Sequence, residues 1–151
     1  MIQRIQTIWF FLATVAIALL LMIPMVTKVV NDSEYWINAI GLYQKTNSKT
    51  MLDLFIPVAI LTILSAVLLL FTIFSYKDRK KQKNFALISL VFILVLSVLS
   101  YIYMAKMPGG LEGVQYKLGA FLPLISIIFI GLGVRGINND ERLIKSADRL
   151  R

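Results

Sequence analysis

The residues of this chain that are best suited to specific binding stand close to its two ends. Arginine offers a planar fork of donors that matches carboxylate and phosphate groups, and glutamine can donate and accept beside it. This chemistry predicts recognition of a protein partner or an anionic lipid. The candidate docking residues are Gln3, Arg4, Gln6, Arg142, Lys145, Asp148, Arg149 and Arg151.

A second cluster of cations lies in the middle of the chain, within residues 77–83. Such a cluster beside a membrane is typical of a topology determinant that also contacts anionic headgroups. The candidate lipid-headgroup residues are Lys77, Arg79, Lys80, Lys81 and Lys83.

The groups that most enzymes and metal sites depend on are missing from the sequence. It contains no cysteine and no histidine, which removes thiol chemistry, disulfides and imidazole ligands. We therefore predict a protein that is not an enzyme, with no catalytic residue, cofactor or metal. The net charge of +8 is divided between two faces of a membrane, so we predict no nucleic-acid partner.

Four stretches without any charged residue must position these polar ends. They cover residues 5–27, 54–76, 84–105 and 118–134. A bilayer core needs about 20 apolar residues per helix, and the absence of apolar–polar alternation argues against barrel strands. We predict an all-α membrane protein, with residues 1–151 forming one four-transmembrane-helix bundle.

The distribution of lysine and arginine predicts the orientation of that bundle. Ten cations lie in residues 77–83 and after the fourth stretch, and Arg4 precedes the first, whereas the other two loops carry five. Cytoplasmic loops are enriched in cations. Both termini are therefore expected in the cytoplasm, with the protein in a bacterial inner membrane.

The loops and helix interiors carry weaker signals. Strand-like composition around Glu34–Tyr43 is compatible with a short β-hairpin in the first outer loop, whose aromatics would anchor at the interface or dock a partner. Asp53 is expected to cap the second helix. Serine and threonine hydroxyls in the spans should bond to backbone carbonyls, and the glycines of the fourth span predict close packing within the bundle or against a partner subunit.

The last segment has the pattern of a separate helix. Asn138 fits an N-cap, and Glu141 three residues later completes a capping box. Residues 136–151 are predicted to form an amphipathic cytoplasmic tail that contacts anionic lipid or a cytoplasmic protein.

The two end sequences, MIQRIQT and KSADRLR, closely resemble the opening and closing signatures of a family of small four-helix inner-membrane proteins of the Bacteroidota. That family is catalogued as a domain of unknown function. The resemblance extends over the whole chain and implies a location and an architecture, but no activity or substrate.

Two functions follow from these observations. The first is an accessory or interaction subunit whose cytoplasmic tail and N-terminus dock a protein partner or anionic lipid. The alternative is a small carrier or channel for a neutral or lipidic solute, particularly as a homo-oligomer. A charge-free interior argues against the alternative, because proton-coupled exporters need an ionisable group at membrane depth.

Overall fold

The computed structural model describes residues 3–30, 33–45 and 49–148, which form four helices and five strands. The helices are α1 (Gln3–Leu19), α2 (Ile56–Phe74), α3 (Arg79–Met104) and α4 (Leu118–Asp148). The strands are β1 (Val26–Val30), β2 (Ser33–Ile37), β3 (Gly41–Lys45), β4 (Lys49–Leu54) and β5 (Gln115–Tyr116).

Three of these helices are long and apolar enough to cross a bilayer. They are Ile56–Phe74, Arg79–Met104 and the Leu118–Leu143 part of α4, whereas α1 is a shorter apolar helix. All four helices expose large apolar side chains, such as Phe11, Phe71, Val98 and Leu124. Continuous apolar exposure of this kind is rare on water-soluble monomers, so length and surface together indicate a membrane protein.

The ends of the first three helices differ from the charge-free stretches for local reasons. Helix α1 ends at Leu19 rather than at residue 27, because the chain turns before Pro24 and enters β1 at Val26. Helix α2 has Pro57 in its first turn, where proline loses no hydrogen bond. Helix α3 begins before its charge-free stretch, because Asp78 caps it by accepting the Lys81 amide at 3.1 Å.

The predicted tail is not a separate element. Helix α4 continues without a break from Leu118 to Asp148, so the N-cap assigned to Asn138 is wrong. Gly136 lies within this helix, because one glycine in a helix costs only about 1 kcal/mol and does not end it. Here Gly136 also brings the backbone against the side chain of Gln6, where a Cβ atom would lie 2.8 Å from Gln6 Cγ.

The expected short hairpin is part of a five-stranded antiparallel sheet, so the all-α prediction is corrected. The strand order is β4-β3-β2-β1-β5, and β5 comes from the second loop between helices. Val26 pairs with both Ile37 and Tyr116, which joins the two loops. Asp53 lies in β4 opposite Leu42 and makes no cap, because α2 begins later, at Ile56.

Backbone hydrogen bonds attach the sheet to the bundle. The Ala39 amide donates to the Leu20 carbonyl at 3.0 Å, and the Gly119 amide donates to the Pro24 carbonyl at 3.2 Å. Lys28 also reaches the second loop, donating to the Gly109 carbonyl at 2.8 Å. The sheet therefore covers one end of the bundle, which we call the sheet end.

Each helix of the bundle packs against two neighbours, in the cyclic order α1, α2, α3, α4. The α1–α4 interface is the most extensive and the α3–α4 interface is the least. Two small residues of α4, Ser126 and Gly133, lie against α1, so that the two helices approach closely, and Gly119 lies against the backbone of Ile23 and Pro24 in the turn after α1. The glycine-based packing predicted for the fourth span is confirmed at Gly119 and Gly133.

Candidate functional site

The end of the bundle opposite the sheet carries most of the described cations, and we call it the basic end. It is formed by the starts of α1 and α3, the end of α2 and the last turns of α4. The cations with described side chains there are Lys77, Arg79, Lys80, Lys81, Lys83, Arg135 and Arg142. Two arginines of α4, Arg135 and Arg142, thus join the cations of residues 77–83 at this end.

A buried hydrogen bond joins α1 to α4 just inside this end. Gln6 Nε2 donates to Asp140 Oδ2 at 2.6 Å, and both side chains are buried. Helix periodicity puts Asp140 seven residues after Gly133, on the face that meets α1. Gln6 was a docking candidate, but the structure places it inside the bundle, away from the exposed surface. The sequence reasoning missed the role of Asp140, whose partner is 134 positions away.

A second polar contact joins α3 to α4 and borders an open cavity. Lys83 Nζ donates to Asn138 Oδ1 at 2.8 Å. The cavity has a volume of about 330 Å³ and is lined by Lys83, Asn138, Glu141 and Arg142. Two cations and one carboxyl group give this lining a net positive charge. Arg142 and Lys83, predicted as separate docking and headgroup residues, therefore share one cavity.

Arg79 adds a donor without a protein partner at the same end. Its Nη1 atom is buried and makes no hydrogen bond within the described residues. A buried unsatisfied guanidinium nitrogen is costly, so an external acceptor such as a phosphate oxygen would stabilise it.

The turn that joins α2 to α3 contains Asp78, which contacts Lys81. Lys81 forms an exposed ion pair with Asp78 at 3.5 Å. The hydrogen bond from the Lys81 backbone amide is the main cause that lowers the pKa of Asp78 below its ordinary value. Lys77 and Lys80 are exposed beside it.

The remaining docking candidates cannot be located in the same way. Arg149 and Arg151 lie outside the described residues. The side chains of four more candidates also lie outside them, those of Gln3, Arg4, Lys145 and Asp148.

A different kind of cavity opens between α3 and α4 towards the sheet end. We call it the α3–α4 cleft, formed by residues 94–104 of α3 and 119–127 of α4 with Met25 and Tyr116. Its volume is about 420 Å³, and none of its lining residues is charged.

The hydroxyl groups of the helices are almost all bonded, as predicted. Six donate to the carbonyl four residues earlier at 2.7–2.9 Å: Thr14, Thr62, Ser65, Thr72, Ser89 and Ser97. Ser126 donates across to the Ala13 carbonyl of α1 at 3.2 Å. Ser100 differs, because its buried Oγ has no partner among the described residues.

Both cavities fall within one family domain. A family model described as a domain of unknown function, DUF4293, matches residues 2–150. The chain belongs to the DUF4293 family. Membership of a family of unknown function that extends over nearly the whole chain is thereby confirmed. Among curated proteins, none matches this DUF4293 chain.

The described part of the DUF4293 chain also lacks an obvious metal centre. Across residues 3–30, 33–45 and 49–148, no three His, Cys, Asp or Glu side chains are grouped so that they could hold a metal ion. The features that remain are the basic end and the α3–α4 cleft.

Proposed function

We propose that this protein is a non-enzymatic integral protein of a bacterial inner membrane that binds anionic lipid headgroups at its basic end, with that end and both termini in the cytoplasm. The observation that carries the proposal is that Lys83 and Arg142 line an open polar cavity at the end of a membrane-crossing bundle, with the unpartnered Arg79 Nη1 at the same end.

The charge distribution supports binding of an anion from the membrane surface. Cations outnumber carboxyl groups among the described side chains of the basic end, seven against three. Asp78 pairs with Lys81, Asp140 is turned inward to Gln6, and Glu141 lines the cavity. Cations near an anionic leaflet contribute about 1 kcal/mol each to attraction. Phosphate oxygens of a lipid headgroup would also accept from the free Arg79 Nη1.

The predicted docking residues of the termini agree with this proposal in sequence position. Gln3 and Arg4 begin α1, while Lys145, Asp148, Arg149 and Arg151 close the chain after Arg142. In sequence, four of these six residues are cations: Arg4, Lys145, Arg149 and Arg151. A cytoplasmic protein with an acidic surface is the other occupant that this chemistry would accept, and the experiment below separates it from lipid.

The carrier alternative has less support from the interior of the bundle. The central side chains are apolar and tightly buried, including Ile17, Leu69, Ile93 and Ile130. With most helix hydroxyls bonded to backbone carbonyls, no polar path for a solute runs through the described part of the bundle. A neutral lipidic ligand is compatible only with the lateral α3–α4 cleft.

Native mass spectrometry of the protein extracted from mixed phosphatidylcholine and phosphatidylglycerol vesicles tests the proposal. The variant Arg79→Gln, Lys83→Gln, Arg142→Gln removes three cations of the basic end. The control Lys45→Gln, Lys106→Gln, Lys117→Gln removes equal charge at the sheet end. We expect bound phosphatidylglycerol to fall up to about a hundredfold in the first variant and to persist in the control.

Two results would contradict headgroup binding. Equal loss in both variants would mean that only net charge matters, and equal retention of phosphatidylcholine and phosphatidylglycerol by the wild type would mean no preference for anions. A co-purified protein that disappears in the first variant, with lipid binding unchanged, would assign the basic end to a protein partner instead.

A further inference from the structure

The α3–α4 cleft is a cavity that opens on the side of the bundle, between the two helices. Its floor is buried, with Met25, Met104 and Pro123 almost without exposure, whereas Leu94 and Leu124 at its rim are about half exposed. Its volume of about 420 Å³ lies within the range of small-molecule sites. Because the rim faces the same direction as the apolar surface of α3 and α4, the opening meets lipid hydrocarbon.

Ser100 lines this apolar cleft and carries a buried polar group without a partner among the described residues. Its side chain is 95% buried, since 5% of its surface is exposed, and its Oγ makes no hydrogen bond. Ser97, one turn earlier on the same wall, donates to the Ile93 carbonyl at 2.8 Å. A hydroxyl in an apolar environment without a hydrogen bond is unfavourable, so Ser100 is a group that an acceptor on a ligand would satisfy.

The opposite wall is shaped by Pro123 and by two small residues. Proline has no amide hydrogen, so the Gly119 carbonyl, four residues earlier, lacks its usual helical donor. Gly119 and Ala120 leave space where larger side chains would bring α4 against α3. The cleft therefore combines an apolar channel with one hydroxyl that has no partner among the described residues.

The depth of Ser100 along α3 fits the ester linkage of a lipid acyl chain. Ser100 lies four residues before the end of α3, which is about 6 Å along the helix axis. From there the cleft runs deeper into the bilayer, to Leu94 and Ile127. A polar group near the membrane surface followed by a hydrocarbon channel matches an ester-linked acyl chain.

We propose that the α3–α4 cleft binds one acyl chain of a membrane lipid, with the Ser100 hydroxyl donating to the ester carbonyl of that chain. The absence of charged lining residues selects the neutral linkage and chain rather than the headgroup. This site lies at the sheet end and does not depend on headgroup binding at the basic end.

Photo-crosslinking with a phosphatidylcholine that carries a diazirine in its acyl chain tests this site in vesicles. The zwitterionic headgroup keeps the basic end from dominating the result. Ala120→Leu fills the cleft, whereas Ala18→Leu adds the same volume on an exposed position of α1 outside it. We expect labelled peptides from residues 94–104 and 119–127 in the wild type and in Ala18→Leu, and their loss in Ala120→Leu.

The hydroxyl is tested by a second matched pair. Ser100→Ala should reduce cleft labelling about three- to tenfold at limiting probe, as expected for one lost hydrogen bond, whereas Ser97→Ala should leave it unchanged. Equal labelling in Ala120→Leu and Ala18→Leu would overturn the proposal. So would an unlabelled cleft in a chain that runs as a dimer, because a second copy would then cover this face.

Discussion

Helix α4 presents Gly133 and Ser126 to α1, whereas it presents Ala120 and Pro123 to α3, and the two interfaces differ accordingly. On the first side Gly133 lies under the ring of Phe10, and Ser126 bonds to the Ala13 carbonyl. On the second side a cleft separates the helices near the sheet end, and the Ser100 hydroxyl has no partner there.

This difference shows how small residues act in a membrane bundle. Lipid and protein interiors are equally apolar, so helix association depends on close packing and on hydrogen bonds between helices. Where α4 achieves both, as it does against α1, the interface is closed. Against α3, Ala120 shares the gap with Ser97 and Ser100, no hydrogen bond is seen between these residues, and a cavity remains.

The largest expected effect comes from a bulky side chain at Gly133, which would collide with the ring of Phe10. A Cβ atom at Gly133 would lie 2.7 Å from Phe10 Cζ, whereas one at Gly131 would meet nothing within 4 Å. We expect Gly133→Leu to lower the free energy of unfolding by about 3 kcal/mol or more, because overpacking forces the helices apart. Gly131→Leu is the control and should change stability little. Reversible unfolding in mixed micelles measures both, and equal effects would mean that α1 and α4 do not pack closely.

A somewhat smaller effect is expected from the buried pair at the basic end of the same interface. Asp140→Ala leaves Gln6 Nε2 buried without an acceptor, which costs about 2 kcal/mol. Adding Gln6→Ala to that variant should recover part of the loss, because no unsatisfied group remains. Glu141→Ala, which removes the neighbouring carboxyl group at the open cavity, should stay within about 0.5 kcal/mol. A loss for Glu141→Ala as large as for Asp140→Ala would refute the assignment of the buried bond.

Removing one hydroxyl from each interface compares them directly. Ser126→Ala deletes a bond between helices and should cost about 0.6 kcal/mol, whereas Ser100→Ala deletes an unpartnered group and should cost nothing in lipid-free detergent. The same unfolding assay applies. A greater loss for Ser100→Ala would show that its hydroxyl has a protein partner.

The smallest expected effect is a pH-dependent change in the stability of the first turn of α3. The same helix forms one wall of the cleft. Because the Lys81 amide lowers the pKa of Asp78, the cap contributes its stability above the ordinary pKa of 3.8. That contribution is lost as the pH falls through the lower folded pKa. Hydrogen exchange at the Lys81 and Gln82 amides should therefore rise below pH 3.8 relative to Asp78→Asn. An unchanged ratio between wild type and variant would exclude the cap.

The charge-free stretches predicted the helices because their signal is local and physical. An uncharged run of about 20 apolar residues has few alternatives to a membrane-spanning helix. Helix α2 falls within residues 54–76 as expected. The predicted helix at residues 5–27 was too long, since α1 ends at Leu19, and the cause is again local. Pro24 and the β-branched residues from Val26 start a strand while the composition is still apolar.

Long-range contacts explain what the sequence did not predict. The pairing of β5 with β1 joins residues about 90 positions apart in the chain, and no local pattern encodes it. Gln6 and Asp140 looked like polar residues on exposed terminal segments, but they satisfy each other inside the bundle. Asn138 had the local features of a cap, and its contact with Lys83 of α3 could be known only once the helices were assembled.

The candidate site was predictable in composition but not in geometry. The sequence identified the cations of residues 77–83 and Arg142, while the presence of Lys83, Asn138 and Arg142 at one cavity depends on α4 continuing past residue 134. Nothing in the sequence separated Ser100 from Ser97, since the difference lies in which hydroxyl reaches a carbonyl.

The contrast between the two faces of α4 is tested most directly by nuclear Overhauser contacts between lipid acyl chains and methionine methyl groups in bicelles. Met25 and Met104 are 1% and 7% exposed yet line the cleft, Met107 is 3% exposed outside it, and Met22 is 81% exposed. We expect acyl-chain contacts to Met22, Met25 and Met104 but none to Met107. Contacts to Met22 alone would show that no lipid enters between α3 and α4, and would contradict this expectation.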